Sequence, residues 1–306
     1  MTAYLISIST FAGFFMILAL ALNLQWGMTG MVNFGIAGFY AMGAYTSGLL
    51  SVDGGWPFLP AFFAAGLMAL VFGIALAFLT VRLTDDFLAI VTLGFAELVR
   101  LFILNEDWLT YGPRGLPIEN RPLAQYFDRT GYAIFYLLLV ASVILAIYLI
   151  NERIRKSPYG RVAKAIREDD LVAQTLGKNV LKTRIQVFAL GAFFMGLAGS
   201  LNAHYIQNIS PDAYTTSIAI LIWMSVIVGG AGNNKGLIIG AGLVMVLLEG
   251  TRFLGVFFDF LDAEKSSALR IIIISVLLIL VVRFRPEGIL PEKKYVGRKI
   301  SKPVGE

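Results

Sequence analysis

The chain contains no cysteine and a single histidine, His204. The first absence excludes disulfides, thiolate nucleophiles and cysteine metal sites, and the second excludes a histidine metal cluster. Charge is also scarce, with Asp, Glu, Lys and Arg making up 15% of 306 residues. No G-x-x-x-x-G-K-[ST] phosphate loop occurs, since Gly177-Lys178 is followed by Asn179. H-E-x-x-H is missing as well, so an embedded hydrolytic enzyme has little to work with. What fills the chain is apolar sequence: 58% of residues are hydrophobic and the mean hydropathy is +0.76. No ordinary soluble domain has that composition. It suffices for roughly eight or nine spans of ~20 residues each, which reads as an all-α polytopic transmembrane helical bundle in one domain, 1–306. The net charge of +5 is then better explained by Lys and Arg gathered on one membrane side than by nucleic acid.

Nine candidate spans follow from hydropathy, at 4–24, 31–50, 57–80, 87–104, 130–150, 184–205, 213–230, 236–254 and 268–283. The first lacks a basic n-region and exceeds a typical signal core, so it is read as a retained span. Placing the C-terminus inside puts 18 of 25 Lys and Arg on the cytoplasmic side, leaves four outside (Arg114, Arg121, Arg129, Lys265) and three within spans. That bias sets the N-terminus outside and the C-terminus inside. The uncharged stretch 25–50 is where a re-entrant segment would reverse the N-terminus. Trp56 and Trp108, in external loops, are expected as interfacial anchors. His204 and Asp212 flank an outer loop and are expected at the interface.

The longest charged segment is 151–183, NERIRKSPYGRVAKAIREDDLVAQTLGKNVLKT, with 8 Lys/Arg against 4 Asp/Glu. It is too short to be a domain and is expected to be a structured loop that touches another molecule. Ser157-Pro158 suits a helix start, Ser at the N-cap and Pro at the first helical position. Val162, Ala165 and Ile166 then share a face, with Arg161 and Lys164 pointing outward. A second short helix is expected from Asp169-Asp170, with Val172, Thr175 and Leu176 on one side and Gly177 just past its end. Residues 284–306 form a basic tail.

Four charges fall inside spans as two i,i+3 pairs, Glu97 with Arg100 and Glu249 with Arg252. A lone charge at a span centre costs about 2.5–3.5 kcal/mol on insertion scales, whereas such a pair can neutralise itself. The pairs either fix helix rotation or line an external vestibule for a zwitterionic solute. Small residues recur at four-residue steps in Ala192, Gly196, Ser200 and in Gly232, Gly236, Gly240, a pattern suited to close helix approach. Asn233 and Asn234 suit the turn and N-cap of the helix that follows. Gly38, Met42, Gly43 and Ser47 match Gly191, Met195, Gly196 and Ser200 at an offset of 153, and Glu97-x-x-Arg100 matches Glu249-x-x-Arg252 at 152. These matches point to a duplicated four-helix unit.

The stretch GRVAKAIREDDLVAQTLGKNVLKTRIQVFALGAFFMGLAGSL resembles the coupling loop and following span of branched-chain amino acid ABC importer permeases. TLGFAELVRL (92–101), YGPRGLP (111–117), GGAGNNKG (229–236) and RFRPEGILP (283–291) resemble further stations of that family, in the same order. Of the importer pattern E-A-A-x3-G, Ala173 and Gly177 fit. Leu171 and Val172 replace the Glu and first Ala, and no proline follows near Leu190. Glu168, Asp169 and Asp170 supply acid slightly earlier. The resemblance implies a bacterial-type inner-membrane permease subunit without enzymatic activity, metal or cofactor of its own. It implies a homologous permease partner, two cytoplasmic subunits that hydrolyse ATP, and an extracytoplasmic solute-binding protein. Contact with the ATP-binding subunits would fall on Glu168, Asp169, Asp170, Ala173 and Gly177, while substrate contacts stay unassigned. Helices 31–50 and 184–205 are the expected pathway walls. The alternative is a secondary transporter driven by an ion gradient, which needs embedded coupling-ion ligands; only the two charge pairs are candidates, and each carries its own countercharge.

Overall fold

The structure, a computed structural model, describes residues 2–80, 83–118, 121–250, 272, 275–276, 279–281, 283–285 and 287–292. Helices α1 (Thr2–Thr29), α2 (Ile36–Val52), α3 (Phe58–Thr80) and α4 (Asp85–Asn105) come first, followed by the single turn α5 (Asp107–Thr110) and the short strand β1 (Leu116–Pro117). Next are α6 (Arg129–Lys156), α7 (Pro158–Glu168), α8 (Asp170–Thr175), α9 (Val180–Ile206), strand β2 (Asn208–Ile209), α10 (Thr216–Gly229) and α11 (Asn234–Gly250). Among the described residues, six segments are long and apolar enough to cross a membrane: Tyr4–Thr29, Phe58–Thr80, Asp85–Asn105, Arg129–Lys156, Val180–Ile206 and Pro211–Gly229. The protein is an all-α polytopic membrane protein; among the described residues it adds one two-residue antiparallel strand pair, Leu116 opposite Ile209 and Pro117 opposite Asn208. The expected last span, 268–283, lies largely outside the described residues.

Helix α9 is the hub. It packs on α1, α2 and α3, and small residues set how closely. A Cβ on Gly43 of α2 would come within 2.5 Å of the Gly196 Cα of α9, and one on Gly196 within 2.6 Å of the Ala69 Cβ of α3. Lipid supplies no hydrophobic drive for association, so this close approach is what dispersion contacts require. The row Ala192, Gly196, Ser200 therefore does what its spacing suggested. The second row does not run along one helix. Gly236 and Gly240 face α10, but Gly232 precedes α11 in a turn with φ +80°.

The span expected at 31–50 is a shorter helix. Gly30, at φ +77°, ends α1, and α2 starts only at Ile36, giving 17 residues or ~25 Å of helix. Much of the intervening backbone is buried, and side chains satisfy it. Phe34 N–H donates to Thr92 Oγ1 at 2.9 Å, Gly35 N–H to Asn33 Oδ1 at 2.7 Å, and Trp223 Nε1–H to the Asn33 carbonyl at 2.9 Å. Asn33 in turn donates to Gln25 Oε1 at 2.8 Å. Irregular backbone at membrane depth is tolerated only where protein satisfies it in this way.

His204 is not interfacial. Because α9 continues to Ile206, His204 falls one turn after Ser200 on the packed face and is fully buried. Its Nε2 lies 2.9 Å from Ser47 Oγ, and Ser200 Oγ donates to the same oxygen at 2.7 Å. Ser47 and Ser200, and likewise Gly43 and Gly196, are the pairs related by the offset of 153, and they touch one another across α2 and α9.

Candidate functional site

Helices α7 and α8 project from one end of the bundle, opposite the end that carries β1 and β2. Ser157 caps α7, its Oγ accepting the Gly160 N–H at 3.2 Å, with Pro158 at the first position as the sequence suggests. Of the expected Val162, Ala165 and Ile166, Ile166 is buried and Val162 packs half-buried on the same cluster, but Ala165 is not part of the stripe. Gly160, Ala163 and Ile166 face the bundle, Ala165 is exposed, and Lys164 turns inward rather than outward. The reason is the size of the residues: Gly160 and Ala163 let α7 lie close against its neighbours, and a ranking by hydrophobicity alone overlooks them.

Asp169 caps α8, accepting the Val172 N–H at 3.0 Å. Gly177, at φ +73°, takes the left-handed position just past the end, and Lys178 N–H reaches back to the Ala173 carbonyl at 3.1 Å. Ala173 is buried and clusters with Ile166 and Val180. This pins α8 by one small residue and turns the rest of it outward. Leu171 and Leu176 are each 70% exposed, and Val172 is exposed beside them. Glu168 pairs with Arg167 at 3.2 Å and Asp170 with Arg184 at 3.5 Å. Of the five residues singled out here, Asp169 and Gly177 shape α8, Ala173 anchors it, and Glu168 and Asp170 lie at its surface.

A residue that the sequence reading missed ties this end together. Glu292 accepts from Arg167 Nη2 at 2.9 Å and from Lys164 Nζ. Arg167 Nη1 donates onward to the Gly27 carbonyl, in the last turn of α1, where a cation also complements the helix dipole. Burial pushes the Glu292 carboxyl up, but the hydrogen bonds from Lys164 and Arg167 outweigh it and hold it below its ordinary value. The backbone before Glu292 is strapped to the end of α10: Ile289 N–H donates to the Val228 carbonyl at 2.9 Å, and Leu290 N–H to the Gly229 carbonyl at 3.2 Å. The one available signal was an acid directly after RFRPEGILP and directly before Lys293-Lys294 in a predominantly basic tail.

From this strap a polar chain enters the bundle. Asn23 Oδ1 accepts the Gly232 N–H at 2.8 Å while its Nδ2 donates to Asn234 Oδ1 at 2.9 Å. Asn234 donates to Glu152 at 3.3 Å, and Asn151 donates to the Leu20 carbonyl at 3.0 Å. Helix α1 is thus gripped by α6, α7 and the α10–α11 turn at one end.

The charge pair on α4 is formed. Arg100 Nε lies 3.0 and 3.1 Å from the two Glu97 oxygens, and Nη2 lies 2.6 Å from Oε1. Glu249 accepts from Tyr4 Oη at 3.2 Å, while Arg252 lies outside the described residues.

Long apolar helices, with two short amphipathic ones held rigidly at one end, define a polytopic membrane protein of the permease class. A family model for the permease component of the branched-chain amino acid transport system matches residues 4–282. The permease protein LivM of the high-affinity branched-chain amino acid transport system of Escherichia coli K12 is 33% identical over 94% of this chain and 70% of that protein. A probable LivM of Methanocaldococcus jannaschii is 26% identical over 96% of this chain and 95% of its own length. The LivH permease of E. coli K12 is 26% identical over 92% of each. The chain belongs to the branched-chain amino acid permease family, whose members are transport components and not enzymes. No solved structure matches it.

Proposed function

We propose that this chain is the permease subunit of an ATP-driven importer that carries branched-chain or related amino acids into the cytoplasm. The observation that carries the reading is α8, which presents Leu171, Val172 and Leu176 to the outside from a base locked by Ala173, Arg167 and Glu292. An apolar, rigidly mounted, one-and-a-half-turn helix suits insertion into a groove of a cytoplasmic ATP-binding subunit. Glu168 and Asp170 then sit at the rim of that contact. ATP is bound and hydrolysed by two such partners, a homologous permease completes the membrane unit, and an extracytoplasmic binding protein delivers the solute.

In this reading the chain has nine spans, the N-terminus outside and the α7–α8 end, 151–183, in the cytoplasm with the basic tail 284–306. The contacts between offset-related residues of α2 and α9 support a duplicated unit whose halves meet there. Closure of the ATP-binding subunits displaces α7 and α8. Arg167 passes the motion to the end of α1 through Gly27, and Glu292 passes it to the α10–α11 turn. The bundle thereby switches access from one side to the other.

Co-purification tests the reading. With the partner permease co-expressed, the wild-type chain should retain the ATP-binding subunits. A Gly177→Pro, Glu168→Lys double variant should lose them while staying in the membrane. If neither chain captures an ATP-binding subunit and uptake follows an ion gradient, the proposal is wrong.

A further inference from the structure

Glu97 and Arg100 stand within the apolar span Asp85–Asn105, Glu97 about 12 Å of helix from its end. They are not sealed inside the chain: the Glu97 side chain is 43% exposed and that of Arg100 21%. Helix α4 buries Leu88, Thr92, Ala96 and Ile103 against the bundle. Leu93 and Leu101, one turn either side of Glu97, are exposed on its stripe. Leu98, 67% exposed, lies on a different face, beside the apolar Val91 and Phe102, that suits lipid. A charged flank between a buried stripe and a lipid face requires water or a polar partner beside it.

Donor bookkeeping shows what the flank offers. A guanidinium has five N–H groups, and Glu97 takes those of Nε and one of Nη2. Nη1 points toward Asp212 Oδ1 at 3.9 Å, too long for a hydrogen bond. Unspent donors on Arg100 therefore face the gap between α4 and the 211–213 turn, with an exposed carboxylate on either side. One cation with two carboxylates repels a simple anion but matches a group carrying both charges.

We propose that this flank is a water-filled station that binds the main-chain groups of the transported amino acid. The α-carboxylate takes the free Arg100 N–H groups, the α-ammonium takes Asp212 and Glu97, and the side chain lies on Leu93 or Leu101. The proposal rests on the importer reading above and deepens it.

The absence of cysteine makes the test clean. Single-cysteine variants Leu93→Cys, Leu101→Cys and Leu98→Cys are made in the complete importer and treated with a membrane-impermeant thiol reagent from outside. The first two should label at least tenfold faster than the third, and saturating leucine with its binding protein should slow them several-fold. In parallel, Arg100→Gln should raise the KM for leucine uptake at least tenfold while subunit assembly persists, and Arg100→Lys should recover part of that. Leu93→Cys and Leu101→Cys reacting no faster than Leu98→Cys would show the flank sealed by lipid or by the partner permease, overturning the proposal. Labelling without leucine protection, together with an unchanged KM in Arg100→Gln, overturns it equally. Loss of ATP dependence in wild-type uptake would instead sink the importer reading, so the two failures separate.

Discussion

Replacing Glu292 with Gln keeps the shape of the side chain and removes the charge that Lys164 and Arg167 share. All three side chains are less than a quarter exposed, at 17% for Glu292, 20% for Lys164 and 24% for Arg167. A hydrogen bond to a charged group is worth about 1.5–3 kcal/mol, and Glu292 accepts two. Part of that is retained, because Gln can still accept one bond and Arg167 keeps Gly27 and Glu168 as partners. A net loss of about 2 kcal/mol follows, roughly 30-fold in the equilibrium that docks the 287–292 strap. The amides of Ile289 and Leu290 report that equilibrium directly, since they donate to Val228 and Gly229 only while the strap is docked. Hydrogen exchange measured on the peptide spanning 287–292 should therefore lose about 30-fold protection, with α9 unaffected. The pH dependence has a definite sign. Glu292 is held below its ordinary value of 4.5, so its contribution is full above that value and disappears as pH falls through the lower folded-state value. Wild-type protection, corrected for intrinsic exchange, should stay level from pH 8 to about 5 and fall below about 4, whereas Glu292→Gln should be level throughout. Protection within twofold of wild type in Glu292→Gln at pH 7 would refute the reasoning.

Three further outcomes are expected. Asp169→Ala removes the α8 cap and should cost about 1 kcal/mol of local stability, read as about fivefold weaker retention of ATP-binding subunits in co-purification, with membrane insertion unchanged. Gly196→Val places a branched side chain where a Cβ alone would come within 2.6 Å of Ala69, so thermal unfolding in detergent should drop by several degrees or the protein should fail to accumulate. Asn23→Leu leaves the Gly232 N–H without its acceptor and Asn234 Oδ1 without its donor, though Asn234 keeps Glu152, and should cost about 1–3 kcal/mol, seen as a lowered unfolding temperature.

Much of this architecture was legible in the sequence. The caps at Ser157, Asp169 and Gly177 are local devices: a hydroxyl or carboxylate reaches an amide three residues on, and a glycine supplies a positive φ. The apolar runs of α3, α4, α6 and α9 likewise announce themselves by length and composition. The features that escaped depend on contacts distant in sequence or on residues without a strong hydrophobic signature. Glu292 meets Lys164 across 128 positions, and nothing near either residue specifies the other. The rotation of α7 is set by Gly160 and Ala163, which are small rather than apolar. The break before α2 is held by its own Asn33 together with Thr92 of α4 and Trp223 of α10. His204 lay near the end of the expected span 184–205, but its burial depends on Ser47 of α2, which nothing local specifies. The α4 pair was visible from its spacing, but the open donors toward Asp212 required the tertiary structure.

Leucine uptake into proteoliposomes containing this chain, its partner permease, the ATP-binding subunits and the binding protein is the most direct test of the central claim. Uptake should require enclosed ATP and should fall at least tenfold in a Leu171→Asp, Leu176→Asp variant that still inserts and still binds its partner permease. Uptake that proceeds without ATP on an ion gradient alone, or that is unchanged in the variant, would contradict an ATP-driven permease coupled through α8.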